Sequence, residues 1–166
     1  MDAILLKLPD DSEIKGDSTI EGYEDAIELL SYSHGVSAML TMDQSQQNRT
    51  SGRPSVQEFN ITKYVDGTSP KLNQACCSGT DLGTVEVTVG RNDEGQILPL
   101  IQYRLYQTVV SSVSVGGGGG GKPTESVSLN FTKIDWIYTL QQEDMQSATG
   151  PSGSWDLTKN TVGDSA

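Results

Sequence analysis

The sequence is poor in the side chains that hold metals and form disulfides. Its 166 residues include one histidine, His34, and two cysteines, Cys76 and Cys77, which are adjacent. A structural metal site needs about four ligands, usually cysteine and histidine. A disulfide between neighbours would force the Cα atoms to about 3.8 Å, below the range of an unstrained bridge. We therefore expect two free thiols in a reducing compartment, and neither a metal nor a cofactor.

Positive charge and long apolar runs are also scarce. The chain has 11 Lys and Arg against 22 Asp and Glu, a formal net charge of −11. A field of this sign repels phosphate backbones and anionic lipid headgroups, so nucleic acid and membranes are poor candidates as partners. The short apolar patch at residues 3–8 lacks a basic flank and ends at Pro9. The sequence predicts no signal peptide and no membrane span.

A catalytic constellation is missing as well. No G-x-S-x-G motif occurs, and a serine triad would depend on His34 alone. His34 lies in an apolar-periodic segment without acidic or cysteine neighbours at ligand spacing, which favours a packed histidine. We expect no catalytic residues and a structural or binding role instead of an enzyme.

What the sequence does contain is β-strand periodicity. The length is typical of one domain, so we expect residues 1–166 to form a single domain. The segment "TVEVTVG" alternates, which predicts that Val85, Val87 and Val89 face a core while Thr88 faces water. Residues 97–115 are expected to form one long strand, residues 141–154 a polar loop and residues 155–160 a last short strand.

Two apolar segments change phase halfway along. Residues 26–36 place Leu29 on one side and Leu30 on the other, and residues 126–138 change between Phe131 and Ile134. Such a change predicts a bulge, or a strand that leaves one sheet and enters another. The fold class predicted is mainly β, a compact closed β-barrel or two-sheet sandwich.

One short helix is expected on the side of this β structure. Thr68 or Ser69 can cap it, Pro70 suits the first helical position, and Gly79 can end it in a left-handed turn.

The run "SVGGGGGGKPT" raises the question of a phosphate-binding loop. Gly116, Gly121 and Lys122 meet the spacing G-x-x-x-x-G-K. A phosphate loop, however, joins a strand to a helix, and here both flanks read as strands. Pro123 also stands where a magnesium-binding Ser or Thr belongs. We therefore interpret the six glycines as a hairpin tip: Gly116, Gly117, Gly118, Gly119, Gly120 and Gly121.

Three stretches together resemble a known family. They are "IKGDS" with "IELLSYSHGVS", then "SVQEFNITKYVDGTSPKLNQACCSG", then "VVSSVSVGGGGGG" with "ESVSLNFTKIDWIY", and the closing "WDLTKN" extends them. The middle stretch is the most specific. In this order they resemble the haemolysin-coregulated protein (Hcp) family, the tube protein of the bacterial type VI secretion system. Where many members have tryptophans, this sequence has Tyr32 and His34.

The resemblance implies an assembly and a set of partners. It implies a homohexameric ring with a wide channel, and rings that stack into a tube inside a contractile sheath, which ejects the tube and its spike. The lumen can carry and protect small effector proteins. The protein would be cytoplasmic during assembly and then leave the cell without a signal peptide.

Two site hypotheses follow from the resemblance and from local composition. The glycine tip, residues 116–121, is expected near the channel or a ring face, where the absence of side chains avoids blocking the pore. The polar loop at residues 41–55 has too few apolar residues to pack on its own domain and is expected to reach the adjacent ring. Its candidate stacking residues are Gln44, Gln46, Gln47, Asn48 and Arg49.

Three alternatives remain open at this point. One is the tail-tube subunit of a phage-like contractile particle, which shares the architecture. Another is a soluble monomeric β-barrel that binds a ligand inside. The third is a small enzyme or nucleotide-dependent switch, for which the glycine run is the only indication.

Overall fold

The computed structural model describes residues 2–42, 49–141 and 147–163. These residues form fourteen β-strands and one α-helix. In chain order they are β1 (Asp2–Lys7), β2 (Ile27–Glu28), β3 (Ser31–Ser33), β4 (Val36–Ser37), β5 (Leu40–Met42), β6 (Arg49–Ser51), β7 (Ser55–Val56), β8 (Phe59–Tyr64), α1 (Ser69–Ser78), β9 (Val85–Asp93), β10 (Gln96–Tyr106), β11 (Val109–Gly116), β12 (Thr124–Asn130), β13 (Lys133–Gln141) and β14 (Ser147–Asp156).

The strands form two main antiparallel sheets. The six-stranded sheet has the order β14-β13-β10-β9-β1-β2, and the four-stranded sheet has the order β11-β12-β8-β3. The mainly β class with one short helix is confirmed, but the closed barrel is wrong. Within the described ranges no ladder joins the edge strands of the sheets. On one side the edge strands β2 and β3 are only two and three residues long, and on the other side β14 and β11 do not pair with each other.

The two open sheets share one hydrophobic core. The six-stranded sheet contributes Leu6, Val87 and Ile134, and the four-stranded sheet contributes Phe59 and Val127, each at most 3% exposed. Removing such side chains from water is the main favourable term in folding. The core therefore holds the sheets face to face.

Both phase changes mark passages between the sheets. β2 pairs with β1 in the six-stranded sheet, whereas β3 pairs with β8 in the four-stranded sheet. β12 and β13 are divided between the sheets in the same way. The prediction that a strand leaves one sheet for another is confirmed at both places.

The expected long strand at residues 97–115 is two strands. β10 belongs to the six-stranded sheet and β11 to the four-stranded sheet. Between them, Gln107 has a φ of 49°, a left-handed conformation that turns the chain. The sequence hid this break because apolar β-formers continue on both sides of it.

The helix begins and ends where the sequence predicts, although the Thr68 side chain makes no capping hydrogen bond. Thr68 is the N-cap, a proline occupies the first turn, and Gly79 ends α1 with a φ of 64°. Only glycine adopts that conformation without a steric penalty, so the predicted stop is confirmed.

The C-terminal prediction was wrong in its boundaries. Most of the expected polar loop belongs to strands, because β13 runs to Gln141 and β14 spans Ser147–Asp156. Only Trp155 and Asp156 of the expected last strand are extended, and a turn follows. Ladder hydrogen bonds to β13 satisfy the backbone of β14 whatever its side chains are, so the apolar pattern could not reveal this strand.

Residues 36–42 and 49–56 form paired strands that we call the arm. β4 pairs with β7, and β5 pairs with β6 further out. The Met39 carbonyl accepts a hydrogen bond from the Gly52 amide at 2.9 Å between the two ladders. The arm continues the β3–β8 hairpin, so much of the expected polar loop is paired strand.

Candidate functional site

One face of the four-stranded sheet is bare and built from small polar side chains. Along β8, burial alternates between buried Phe59, Ile61 and Lys63 and the outward Asn60 and Thr62. β12 and β11 continue the same alternation, because Ser126 lies opposite Thr62 and Ser114 lies opposite Ser126. We call this surface the polar face; its members are Ser31, Ser33, Asn60, Thr62, Tyr64, Ser112, Ser114, Thr124, Ser126, Ser128 and Asn130.

The polar face carries no charge. Charged residues make up 20% of the chain, yet the four strands contain only two, Lys63 and Glu125, and both are buried on the opposite side. Hydroxyls and amides hydrogen bond within the face: the Ser128 hydroxyl donates to Asn60 Oδ1 at 2.6 Å. At its edge, Asn130 Nδ2 donates to Glu58 Oε1 at 3.4 Å. The surface is hydrophilic and electrically neutral in a strongly acidic protein.

Behind the polar face lies a buried ion pair. Lys63 Nζ is 2.5 Å from Glu125 Oε1, and both side chains are fully buried. Lys63 Nζ also donates to Asp66 Oδ1 at 2.9 Å, and the Ser69 hydroxyl donates to Glu125 Oε1 at 2.7 Å. These bonds join β8, β12 and the start of α1. Burial raises the pKa of Asp66, but hydrogen bonds from Thr68 and Lys63 outweigh it and leave the pKa below its usual range.

This ion pair was not predicted, although the sequence contains its signal. Lys63 falls in the same alternation phase as Phe59 and Ile61, and Glu125 falls in phase with Val127 and Leu129. A lysine and a glutamate on apolar phases of two strands that pair with each other indicate a buried partnership.

The glycine run is a hairpin tip, as predicted. Gly116 is the last residue of β11 and pairs with Thr124 at the start of β12. The run 116–121 is exposed, and an added Cβ at Gly118 or Gly119 would meet no atom within 4 Å. Beside it, Lys122 Nζ lies 5.7 Å from the centre of the Tyr64 ring. The tip therefore closes one end of the polar face, and its position at a channel stays a prediction.

The candidate stacking residues lie mostly outside the described structure. Gln44, Gln46, Gln47 and Asn48 fall outside the described residues, and Arg49 opens β6 opposite Met42. The role of all five residues stays a prediction.

His34 sits in an aromatic cluster at the passage from the four-stranded sheet to the arm. Its ring lies 5.6 Å from Phe59, 6.2 Å from Trp136 and 6.3 Å from Tyr103. Its Nδ1 is 3.1 Å from the Gln57 carbonyl oxygen, which accepts the hydrogen bond. Burial lowers the pKa of His34 below its ordinary 6.5. This arrangement is that of a packed histidine.

The described part of the chain contains no cluster of three or more His, Cys, Asp or Glu side chains that could hold a metal ion. Cys76 and Cys77 are free thiols. Across the same ranges, no helix is both long and apolar enough to cross a bilayer.

Comparison with known proteins identifies the family. Residues 5–138 match the family described as "Type VI secretion system effector, Hcp". Protein hcp1 of Pseudomonas aeruginosa is 33% identical over 151 residues, which cover 89% of this chain and 92% of that protein.

Solved structures share the fold. A type six secretion system protein superposes with a TM-score of 0.87 at 23% identity and covers 98% of this chain and 100% of its own. Hcp1 from Salmonella typhimurium gives 0.76 at 23% identity, with 97% and 98% covered. From the family match and the sequence identity, this chain belongs to the Hcp family of the type VI secretion system.

Proposed function

We propose that this type VI secretion tube subunit assembles as a homohexameric ring in which the polar face lines the channel. Residues 1–166 would act as one tube domain, cytoplasmic during assembly and then secreted. The observation that carries the proposal is the charge-free polar face backed by the shared core. The role requires no catalytic step.

The edges of the four-stranded sheet support ring closure. β3 and β11 are its two edges, on opposite sides of β8 and β12. Because the edges differ, joining one to the other is a head-to-tail contact, and such contacts close into rings when the rotation permits. Six copies of a four-stranded sheet would make a barrel of about 24 strands, and barrels beyond about 16 strands enclose an open channel.

The chemistry of the polar face suits a channel through which proteins pass. Hydroxyls and amides keep water on the wall and offer hydrogen bonds, while the absence of charge avoids strong attraction to cargo of either sign. We propose that small effector proteins travel in this lumen. The glycine tip, without side chains, would border the opening without narrowing it.

The remaining partners follow from the same assembly. We propose that rings stack into a tube inside the contractile sheath, beneath the spike. Gln44, Gln46, Gln47, Asn48 and Arg49 would reach the adjacent ring.

The mass of the assembly is the first test. Light scattering coupled to size exclusion should give about 107 kDa, six times 17.8 kDa, over a range of concentrations. A monomer at every concentration would contradict the proposal.

Thiol labelling tests whether the polar face lines the channel. In a Cys76→Ser, Cys77→Ser background, Ser126→Cys places a thiol on the polar face, and Glu21→Cys places one on the exposed segment over the six-stranded sheet. A small maleimide should label both in assembled rings. A polymer-linked maleimide wider than the channel should label Glu21→Cys and spare Ser126→Cys, and equal labelling of both would place the polar face outside.

A further inference from the structure

Within the described ranges, two exposed surfaces complement each other. The first is the stem of the arm, where Val36, Met39 and Leu40 are 52%, 79% and 59% exposed. The second is a groove of about 590 Å³ between residues 9–14, helix α1 and residues 80–83. We propose that the arm stem of one copy docks in the groove of the next copy, an inference that rests on the proposed assembly.

The apolar chemistry of the two surfaces matches. The groove floor contains the buried side chains of Ile14 and Ala75, together with the partly buried Leu82. The arm stem presents three apolar side chains that its own ladders do not cover. Exposed apolar groups grouped on a projecting element mark interaction sites, since burying them against a partner removes them from water.

The charges also match. The sequence from residue 36 to residue 56 contains Arg49 and Arg53 against one acid, Asp43, so this segment is net positive by one in a chain of −11. The groove is lined by Asp11, Glu13 and Asp81 against Lys71, which gives a net charge of −2. A basic element and an acidic groove attract and orient each other during association.

The fold places the two surfaces on opposite sides of the four-stranded sheet. The arm continues from the β3 side, and α1 packs against β11 at the other edge. Three strand spacings of about 4.8 Å separate those edges. Arg53 Nη2 donates to the Leu157 carbonyl at 2.6 Å, which fastens the base of the arm to its own body. Docking between different copies is therefore head-to-tail, the geometry that produces a ring or a filament.

A disulfide between copies tests the contact. In the Cys76→Ser, Cys77→Ser background, Leu40→Cys marks the arm and Gln74→Cys marks the groove. When the two single variants are mixed and oxidised, a covalent heterodimer should form. A chain with both changes should give a ladder of bands up to six subunits. The matched control, Leu40→Cys with Glu21→Cys, should form disulfides on the order of tenfold more slowly, since only chance encounters join them.

Reversing charges on the groove and on the arm provides a second test, measured as the rate of disulfide formation. Glu13→Arg should slow formation of the arm–groove disulfide about two- to fivefold at low salt, as expected for the loss of an exposed attraction. Adding Arg49→Glu, which leaves the bond from Arg53 to Leu157 in place, should restore the rate.

The outcomes separate this inference from the proposed function. A 107 kDa assembly in which Leu40→Cys and Gln74→Cys crosslink no faster than the control pair would overturn the arm–groove contact and leave the ring intact. A monomer at all concentrations would overturn both. Rapid crosslinking within a 107 kDa assembly would establish the contact.

Discussion

The two sheets share a core but differ on their other faces. Over β1, β9 and β10 the outer face of the six-stranded sheet is covered by the segment after β1, since Ile20, Tyr23 and Ala26 pack with Leu5 and Ile97. This cover buries Thr88, which the sequence had predicted to face water. Among the residues that the structure describes, none forms such a cover over the outer face of the four-stranded sheet, which presents hydroxyls and amides.

This difference suggests a division of roles, in which the six-stranded sheet stabilises the fold and the polar face serves the assembly. Where a sheet is covered on both faces, the side chains of both faces are packed. Substitutions on either face there should destabilise the protein. The polar face contributes little to packing, so its lack of charge in an acidic chain points to a role in assembly. The predictions below test this division.

The largest effect is expected at the ion pair behind the polar face. Lys63→Met leaves the Glu125 carboxylate buried without its cation, which should cost about 3–5 kcal/mol of unfolding free energy. The double variant Lys63→Met, Glu125→Met should recover most of this loss. Denaturant unfolding measures both.

The exposed pair between Lys71 and Glu13 is the control, with side chains 51% and 86% exposed. Lys71→Met should change stability by less than about 1 kcal/mol. A comparable loss at Lys63 and Lys71 would show that the buried pair is not special.

The two faces of the four-stranded sheet give the next contrast. Ile61→Ala removes a core side chain that is 2% exposed and should cost about 2–5 kcal/mol. Ser126→Ala, on the polar face, should stay within about 0.5 kcal/mol. Equal losses of stability for the two variants, in thermal or denaturant unfolding, would show that the two faces do not differ in packing.

Alanine substitutions at two glycines compare how closely the six-stranded sheet and the hairpin tip are packed. A Cβ at Gly90 would lie 2.6 Å from the Leu98 carbonyl oxygen, so Gly90→Ala should destabilise the fold by about 1–3 kcal/mol. Gly118→Ala meets no atom within 4 Å and should be neutral or stabilising by up to about 1 kcal/mol. A marked loss of stability from Gly118→Ala would mean that the tip is packed.

The smallest effect on stability is expected from the protonation of His34, at the passage between the sheets and the arm. Because burial lowers the pKa of His34, the unfolded chain binds the proton more readily than the folded one. The stabilising effect of the neutral ring is complete above about pH 6.5 and is lost as the pH falls below it.

His34→Phe keeps an aromatic ring and removes the titration. Denaturant midpoints at about pH 7.5, 6.5 and 5.5 should therefore fall more steeply for the wild type than for the variant. Parallel slopes would show that His34 does not contribute to the pH dependence.

The arm and the polar face could be predicted only in part. Polar composition predicted that residues 41–55 project, but the ladders that stiffen the arm depend on pairing between β4 and β7 and between β5 and β6. Alternation predicted the strands of the polar face. Their order in one sheet, which brings Asn60 beside Ser128, joins residues 68 positions apart and is not a local property.

The sequence by itself determined the β class, the helix limits at Thr68 and Gly79, both passages between sheets and the family, because these depend on local periodicity, the backbone preferences of proline and glycine, and motif order. Only the tertiary structure decided that the sheets stay open, that residues 97–115 divide at Gln107, that β14 is a strand and that Lys63 meets Glu125. These features depend on hydrogen bonds and packing between segments far apart in the chain, which no local pattern specifies.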